Sequence, residues 1–79
     1  MILDDIKDIV AKQLNIDAST ITPETSFYDL EADSLDVVEV IMSVEDQFGV
    51  SLPDEAVEAL HNLGDLALLV EERRLAGKQ

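Results

Sequence analysis

The chain has 79 residues, of which five are Lys or Arg and eighteen are Asp or Glu, so its formal net charge is −13. A surface this acidic repels nucleic acid and anionic membranes and attracts basic protein surfaces. The chain lacks cysteine, contains no apolar run long enough to span a membrane, and carries acids too early for a signal peptide. We therefore expect a cytoplasmic protein with no nucleic-acid partner and no membrane insertion, and its length allows one domain, residues 1–79.

The first predicted helix covers about residues 2–15. Its apolar side chains recur at helical spacing: Ile2, Leu3, Ile6, Ile9, Val10 and Leu14. Residues 15–33 contain Pro23 and several Thr and Ser, which is typical of a loop. Four apolar side chains are expected to fasten this loop to the core: Ile16, Ile21, Phe27 and Leu30.

The second helix is predicted to begin at Asp33 or Ser34 and to run to Phe48. Asp33 is a favoured N-cap residue, and Asp36 follows three positions later, as in a capping box. Gly49 is the expected stop, because glycine readily adopts the left-handed conformation that ends many helices.

A short third helix is predicted to open at Pro53 and to end before Asn62. Gly64 is expected to separate it from a last helix, at about residues 65–75, with Asp65 as its cap. The chain shows no useful strand alternation. The predicted fold class is all-α: a small antiparallel bundle of three main helices plus one short helix, with a long loop between the first two helices.

The second helix carries two apolar stripes when its residues are placed at about 100° per position. The wider stripe, interpreted as the core face, contains Val37, Val40, Ile41, Val44 and Phe48. On the other side lie Leu35, Val38 and Met42, flanked by acids.

Complete burial of this helix is an alternative, as is a gap-filling role for Met42, but a bundle this small with acids interleaved disfavours full burial. We interpret the second stripe as a partner-docking strip beside Ser34, made of Leu35, Asp36, Val38, Glu39, Met42, Glu45 and Asp46. Its acids Glu39, Glu45 and Asp46 are expected to be exposed and to make few contacts within the protein.

Catalytic and metal-binding interpretations of the segment around Ser34 are disfavoured. The one histidine, His61, has no accompanying Gly-x-Ser-x-Gly motif, so a hydrolase is not indicated. The segment that begins at Asp29 has part of the acid spacing of a calcium-binding loop. It has Ser34 where that loop needs glycine and Val40 where it needs glutamate, so we expect no specific metal site.

Ser34 remains open to two interpretations on mechanism alone. A serine at the first helical position keeps its hydroxyl outside the helix hydrogen-bond ladder, so its oxygen can be esterified without breaking the helix. The positive end of the helix favours an attached phosphate there, although Asp33 and Asp36 oppose it. The alternative is a serine that only helps to cap the helix.

Several motifs give the chain a resemblance to a known family over nearly its whole length. They are D-L-E-A-D-S-L-D at 29–36, V-E-V at 38–40, F-G-V at 48–50, L-P-D-E at 52–55 and T-P-E-T-S-F at 22–27. Together they resemble the acyl carrier proteins of dissociated (type II) fatty acid and related synthesis.

This resemblance implies a non-catalytic carrier, here expected to be a monomer. The serine matching Ser34 would carry 4′-phosphopantetheine, donated by coenzyme A through a Mg²⁺-dependent phosphopantetheinyl transferase (holo-synthase), and the arm's thiol would hold acyl groups as thioesters. The bundle interior would shelter the acyl chain. Acyl-transferring or condensing enzymes with basic docking patches would bind the second helix. The alternatives are a specialised polyketide, amino acid or other acyl carrier, or an acidic interaction module that is never modified.

The chain departs from the family pattern just before Ser34. Glu31 stands where the family usually has glycine, and the span from Phe27 to Asp29 is one residue shorter than usual. If that glycine uses a positive φ, Glu31 cannot copy it cheaply. The loop before Ser34 is therefore expected to run differently.

Overall fold

The computed structural model describes residues 1–76; residues 77–79, which the predicted domain of residues 1–79 includes, lie outside the described part. The described chain forms four α-helices: α1 (Ile2–Leu14), α2 (Ser34–Phe48), α3 (Asp54–Glu58) and α4 (Leu63–Ala76). One 3₁₀ turn, Ala18–Thr20, interrupts the connection between α1 and α2. Because α1 packs against both α2 and α4, the predicted all-α bundle of three main helices and one short helix is confirmed.

The ends of α1 and α2 follow from local capping. Asn15 adopts a left-handed conformation with φ 57°, and its backbone N–H donates to the carbonyl of Ala11, which ends α1. Gly49 ends α2 in the same way, with φ 64° and its N–H donating to the carbonyl of Glu45. The predicted start of α2 at Asp33 or Ser34 and its stop at Gly49 are both confirmed.

The start of α4 differs from the prediction. The helix begins at Leu63, so Gly64 lies in its first turn and does not separate two helices. Asn62 precedes the helix, and its side-chain oxygen accepts the backbone N–H of Asp65 at 2.8 Å. Asp65 is therefore the third helical residue, whose carboxylate accepts the backbone N–H of His61, and the prediction that Asp65 is the cap was wrong.

The core collects apolar side chains from α1, α2, α4 and the connections between them. The buried side chains are Ile6, Val10, Ile21, Val40, Ile41, Val44, Leu52, Leu63, Leu66 and Val70. Phe27 and Leu30 pack against this core, as predicted. Ile16 was predicted to join them but is exposed, because left-handed Asn15 breaks the helical repeat and Ile16 no longer continues the apolar stripe of α1.

The long connection between α1 and α2 is tied to the start of α4. The N–H of Leu63 donates to the carbonyl of Thr25 at 2.9 Å, and the N–H of Gly64 donates to the carbonyl of Pro23 at 2.8 Å. A Cβ at position 64 would lie 3.1 Å from that carbonyl oxygen, so glycine permits the close approach. These bonds satisfy two helix N-terminal amides and fix the chain that leads towards Ser34.

Candidate modification site and docking surface

Ser34 is exposed and is the first residue of α2. The residue before it, Asp33, has an extended backbone and supplies the cap: its carboxylate accepts the backbone N–H of Asp36 at 2.8 Å. The Asp36 carboxylate in turn accepts the N–H of Asp33 at 3.3 Å. This reciprocal pair of hydrogen bonds is the predicted capping box, so Asp33, and not Ser34, caps the helix.

Residue 31, where the resemblance expects glycine, has the left-handed conformation with φ 56°. Glu31 therefore adopts the backbone conformation that was expected to be costly for it. The N–H of Glu31 donates to the carbonyl of Tyr28, and the N–H of the next residue, Ala32, donates to the carbonyl of Phe27. These bonds hold a conformation that costs a residue other than glycine about 1–2 kcal/mol.

The outward stripe of α2 is where the helical periodicity predicted it. Leu35, Val38 and Met42 are 63%, 52% and 57% exposed, whereas Val40 and Val44 on the opposite face are buried. The predicted rotation of α2 is confirmed, and both full burial of the helix and a gap-filling role for Met42 are excluded. The stripe begins next to Ser34 and continues for two turns.

The acids around this stripe divide into two kinds. Glu39 and Asp46 are exposed, and the Glu39 carboxylate accepts a hydrogen bond from the side-chain amide of Gln13. Glu45 is half-buried, and its carboxylate accepts the backbone N–H of Leu52 at 2.7 Å. The expectation that Glu45 is exposed and makes few contacts was wrong, because its position at the edge of the core face brings it over the connection from α2 to α3.

A groove that sequence reasoning missed runs between α2 and α3. Its volume is about 180 Å³, and it is lined by Val37, Val38, Ile41, Met42, Glu45, Leu52, Asp54 and Val57. Val38 and Met42 belong both to the outward stripe and to this groove. The signal that could have indicated the groove is Val57, an apolar residue on a helix of only five residues that cannot bury it alone.

Neither a metal cluster nor a membrane span is present within residues 1–76. No three His, Cys, Asp or Glu side chains there are grouped so that they could hold a metal ion. None of the helices in that part of the chain is both long and apolar enough to cross a membrane.

Three kinds of similarity to known proteins agree with this geometry. Residues 4–70 match the family described as a phosphopantetheine attachment site. Over 76 residues the chain is 50% identical to the acyl carrier protein of Helicobacter pylori (strain G27), which covers 95% of this chain and 97% of that protein. It is 46% identical over 76 residues to the acyl carrier protein of Helicobacter acinonychis (strain Sheeba), with the same coverage. The fold matches a solved structure of the acyl carrier protein from Enterococcus faecalis with a TM-score of 0.77 at 27% identity, over 91% of this chain and 92% of that one.

Proposed function

Because this chain belongs to the acyl carrier proteins, the family that contains a phosphopantetheine attachment site, we propose that Ser34 is its attachment residue. The observation that carries the proposal is that Ser34 is the exposed first residue of α2 while Asp33 supplies the helix cap. A hydroxyl that capping does not require is free to be esterified. This favours attachment over a serine that only caps the helix.

The surroundings of Ser34 suit a phosphodiester. In the transfer, the hydroxyl of Ser34 loses its proton and its oxygen bonds to the pantetheine-bearing phosphorus of coenzyme A, as the bond from that phosphorus to adenosine 3′,5′-bisphosphate breaks. The positive end of α2 favours the phosphate charge. Asp33 and Asp36 are negative neighbours, so the phosphate faces solvent. When attached, the arm supplies a thiol that holds acyl groups as thioesters, a group that the chain lacks because it has no cysteine.

The outward face of α2 is the proposed docking surface for partner enzymes. Leu35, Val38 and Met42 offer apolar anchors. Glu39 and Asp46 offer exposed negative charge to basic patches on the transferase and on acyl-transferring or condensing enzymes. The chain itself is the substrate of these enzymes and performs no catalysis. The α2–α3 groove, whose walls are mainly aliphatic, is the proposed shelter for the acyl chain.

We place this carrier function in a single domain of residues 1–79 that acts as a monomer in the cytoplasm. The proposed pathway is fatty acid or related lipid synthesis, following the acyl carrier proteins that the chain resembles. The thioester-bound groups on protein taken from its native cell would distinguish that pathway from a specialised polyketide or amino acid carrier.

The attachment test is an intact-mass measurement after incubation with coenzyme A, Mg²⁺ and a phosphopantetheinyl transferase. We expect the wild-type chain and the Ser43→Ala control, which removes an exposed hydroxyl on the same helix, to gain one arm. Ser34→Ala should gain none while remaining folded, since the loss of a capping contribution is about 1 kcal/mol at most and Asp33 already supplies the cap. An arm on the Ser34→Ala chain would refute the assignment, and an unmodified wild-type chain would favour the alternative of an acidic interaction module.

A further inference from the structure

The loop that leads into Ser34 presents one aromatic side chain to solvent. Tyr28 is 91% exposed, although its neighbours Phe27 and Leu30 both pack against the core. Because these two neighbours are anchored inward, the chain between them must direct Tyr28 outward. The exposure of Tyr28 is therefore imposed by packing.

The backbone around Tyr28 is closed by several hydrogen bonds. The N–H of Ser26 donates to the Asp29 carboxylate at 3.1 Å, and the N–H of Asp29 donates to the Ser26 hydroxyl at 2.9 Å. The carbonyl of Tyr28 accepts the N–H of Glu31 at 3.0 Å. A ring on such a segment loses little backbone freedom when a partner binds it, and Tyr itself has few rotatable bonds, so binding there costs little conformational entropy.

The charge around Tyr28 indicates the kind of partner. Tyr28 lines an open concavity together with Asp29, Glu31, Ala32 and Asp33, which is the residue directly before Ser34. Three of these residues are acids, and they lie in a stretch of the chain, Gln13 to Glu72, that contains no Lys or Arg. An aromatic face among carboxylates suits a guanidinium or ammonium group, which can stack on the ring while pairing with the acids.

We propose that Tyr28 is a second docking point for the enzyme that acts at Ser34 and that it receives an arginine or lysine of that enzyme. This inference rests on the proposed function of Ser34 and extends the docking surface from α2 to the loop that precedes the serine. A partner that contacts both this loop and α2 would position the hydroxyl of Ser34 more narrowly than a partner that contacts α2 alone. Tyrosine and arginine are also the residue types enriched at the energetic centres of protein interfaces.

The first test measures arm transfer to Ser34 by the cognate phosphopantetheinyl transferase as the concentration of the carrier is varied. We expect Tyr28→Ala to raise KM for the carrier about tenfold with little change in kcat, and Tyr28→Phe to retain the wild-type KM because the ring face remains. Tyr28→Leu keeps apolar area but no ring, so it should behave like Tyr28→Ala. Leu68→Ala is the matched control: it truncates a side chain that is 66% exposed in a cleft formed by α1 and α4, and KM should not change.

Each result decides one part of the inference. A wild-type KM for Tyr28→Ala, with Ser34 still modified, would overturn the docking role and leave the attachment site intact. A wild-type KM for Tyr28→Leu alone would overturn the cationic partner. If the wild-type chain is never modified at Ser34, the proposed function fails and this inference fails with it.

A direct binding measurement is available because Tyr28 is the one tyrosine in the sequence. Incorporation of 3-fluorotyrosine therefore gives a single ¹⁹F resonance, observed in the Ser34→Ala background so that no transfer occurs. We expect the resonance to shift or broaden as the transferase is added, with the effect weakening as salt is raised. An unchanged resonance under conditions where the carrier is bound would contradict a contact at Tyr28.

Discussion

The inward and outward faces of α2 are both built of aliphatic side chains, yet Val40, Ile41 and Val44 are at most 8% exposed while Val38 and Met42 are more than half exposed. Valine occurs on both faces, so residue type does not decide burial. Angular position around the helix decides it, since residues one position apart point about 100° away from each other. The inward face stabilises the bundle, and the outward face leaves apolar area available for a partner.

The largest expected difference between the two faces comes from truncating neighbours, Ile41→Ala and Met42→Ala. Ile41 is 8% exposed, so its truncation should destabilise the fold by about 2–5 kcal/mol through lost burial and a residual cavity. Met42→Ala should cost less than about 1 kcal/mol because its side chain is mostly in solvent. Denaturant midpoints measured for both variants test this, and equal losses would show that the outward stripe belongs to the core.

The acids of α2 provide the next comparison, between Glu45→Ala and Glu39→Ala. Each variant removes one negative charge, so relief of charge repulsion is similar in both. Glu45→Ala also deprives the backbone N–H of the buried residue Leu52 of its acceptor, which should cost about 1–2 kcal/mol, whereas Glu39→Ala loses only an exposed side-chain bond. Unfolding midpoints and amide exchange at Leu52 measure the difference. Identical stability and unchanged exchange would remove the structural role assigned to Glu45.

Binding kinetics with the transferase should distinguish the apolar residues of the outward face, which limit dissociation, from its acids, which speed association. Val38→Ala should speed dissociation of the transferase about fivefold, because we propose that the side chain fills an apolar site on the partner. Glu39→Lys should slow association at low salt and weaken its salt dependence, with folding stability nearly unchanged. The control is Asp4→Lys, which makes the same change of net charge at an exposed position on α1. If it slows association as much as Glu39→Lys does, steering arises from net charge and not from the α2 surface.

The smallest expected effect concerns the acids as a group. From Gln13 to Glu72, with Glu72 included, the chain has fifteen acids and no Lys or Arg, and the repulsion among these acids is stronger in the compact state. The melting temperature should rise by a few degrees from low salt to roughly 0.1 M salt, where the screening length is about 10 Å. It should rise further with Mg²⁺ or Ca²⁺ at equal ionic strength, and with moderate acidification. A melting temperature that responds to none of these changes would contradict the repulsion argument.

A contribution at Asp17 opposes the effect of acidification. The backbone and hydroxyl of Ser19 hold the pKa of this carboxyl below its ordinary value of 3.8. A carboxyl whose pKa is lowered by folding stabilises the fold above its unfolded pKa and loses that contribution as the pH falls through the folded pKa. Moderate acidification that stays above pH 3.8 therefore leaves the contribution of Asp17 in place.

Features that depend on neighbours within about one helical turn could be predicted from the sequence. The Asp33–Asp36 capping box and the stop at Gly49 involve residues close together along the chain, so short sequence motifs predict both features. The rotation of α2 follows from its apolar spacing, because a helix converts spacing into angle. The motif around Ser34 indicated the family for the same reason, since its residues are contiguous.

Features that join distant parts of the chain were decided by the tertiary structure. Gly64 lies in the first turn of α4, where its backbone N–H donates to the carbonyl of Pro23. Glu45 is half-buried because the chain folds back so that the N–H of Leu52 donates to its carboxylate. Glu31 keeps a left-handed backbone in a segment whose side chains Phe27 and Leu30 pack against the core, and this packing offsets the local cost of the conformation. The sequence indicates which backbone conformation each residue prefers locally. Tertiary contacts can impose a different conformation, because their free energy can exceed the small free-energy differences between local conformations.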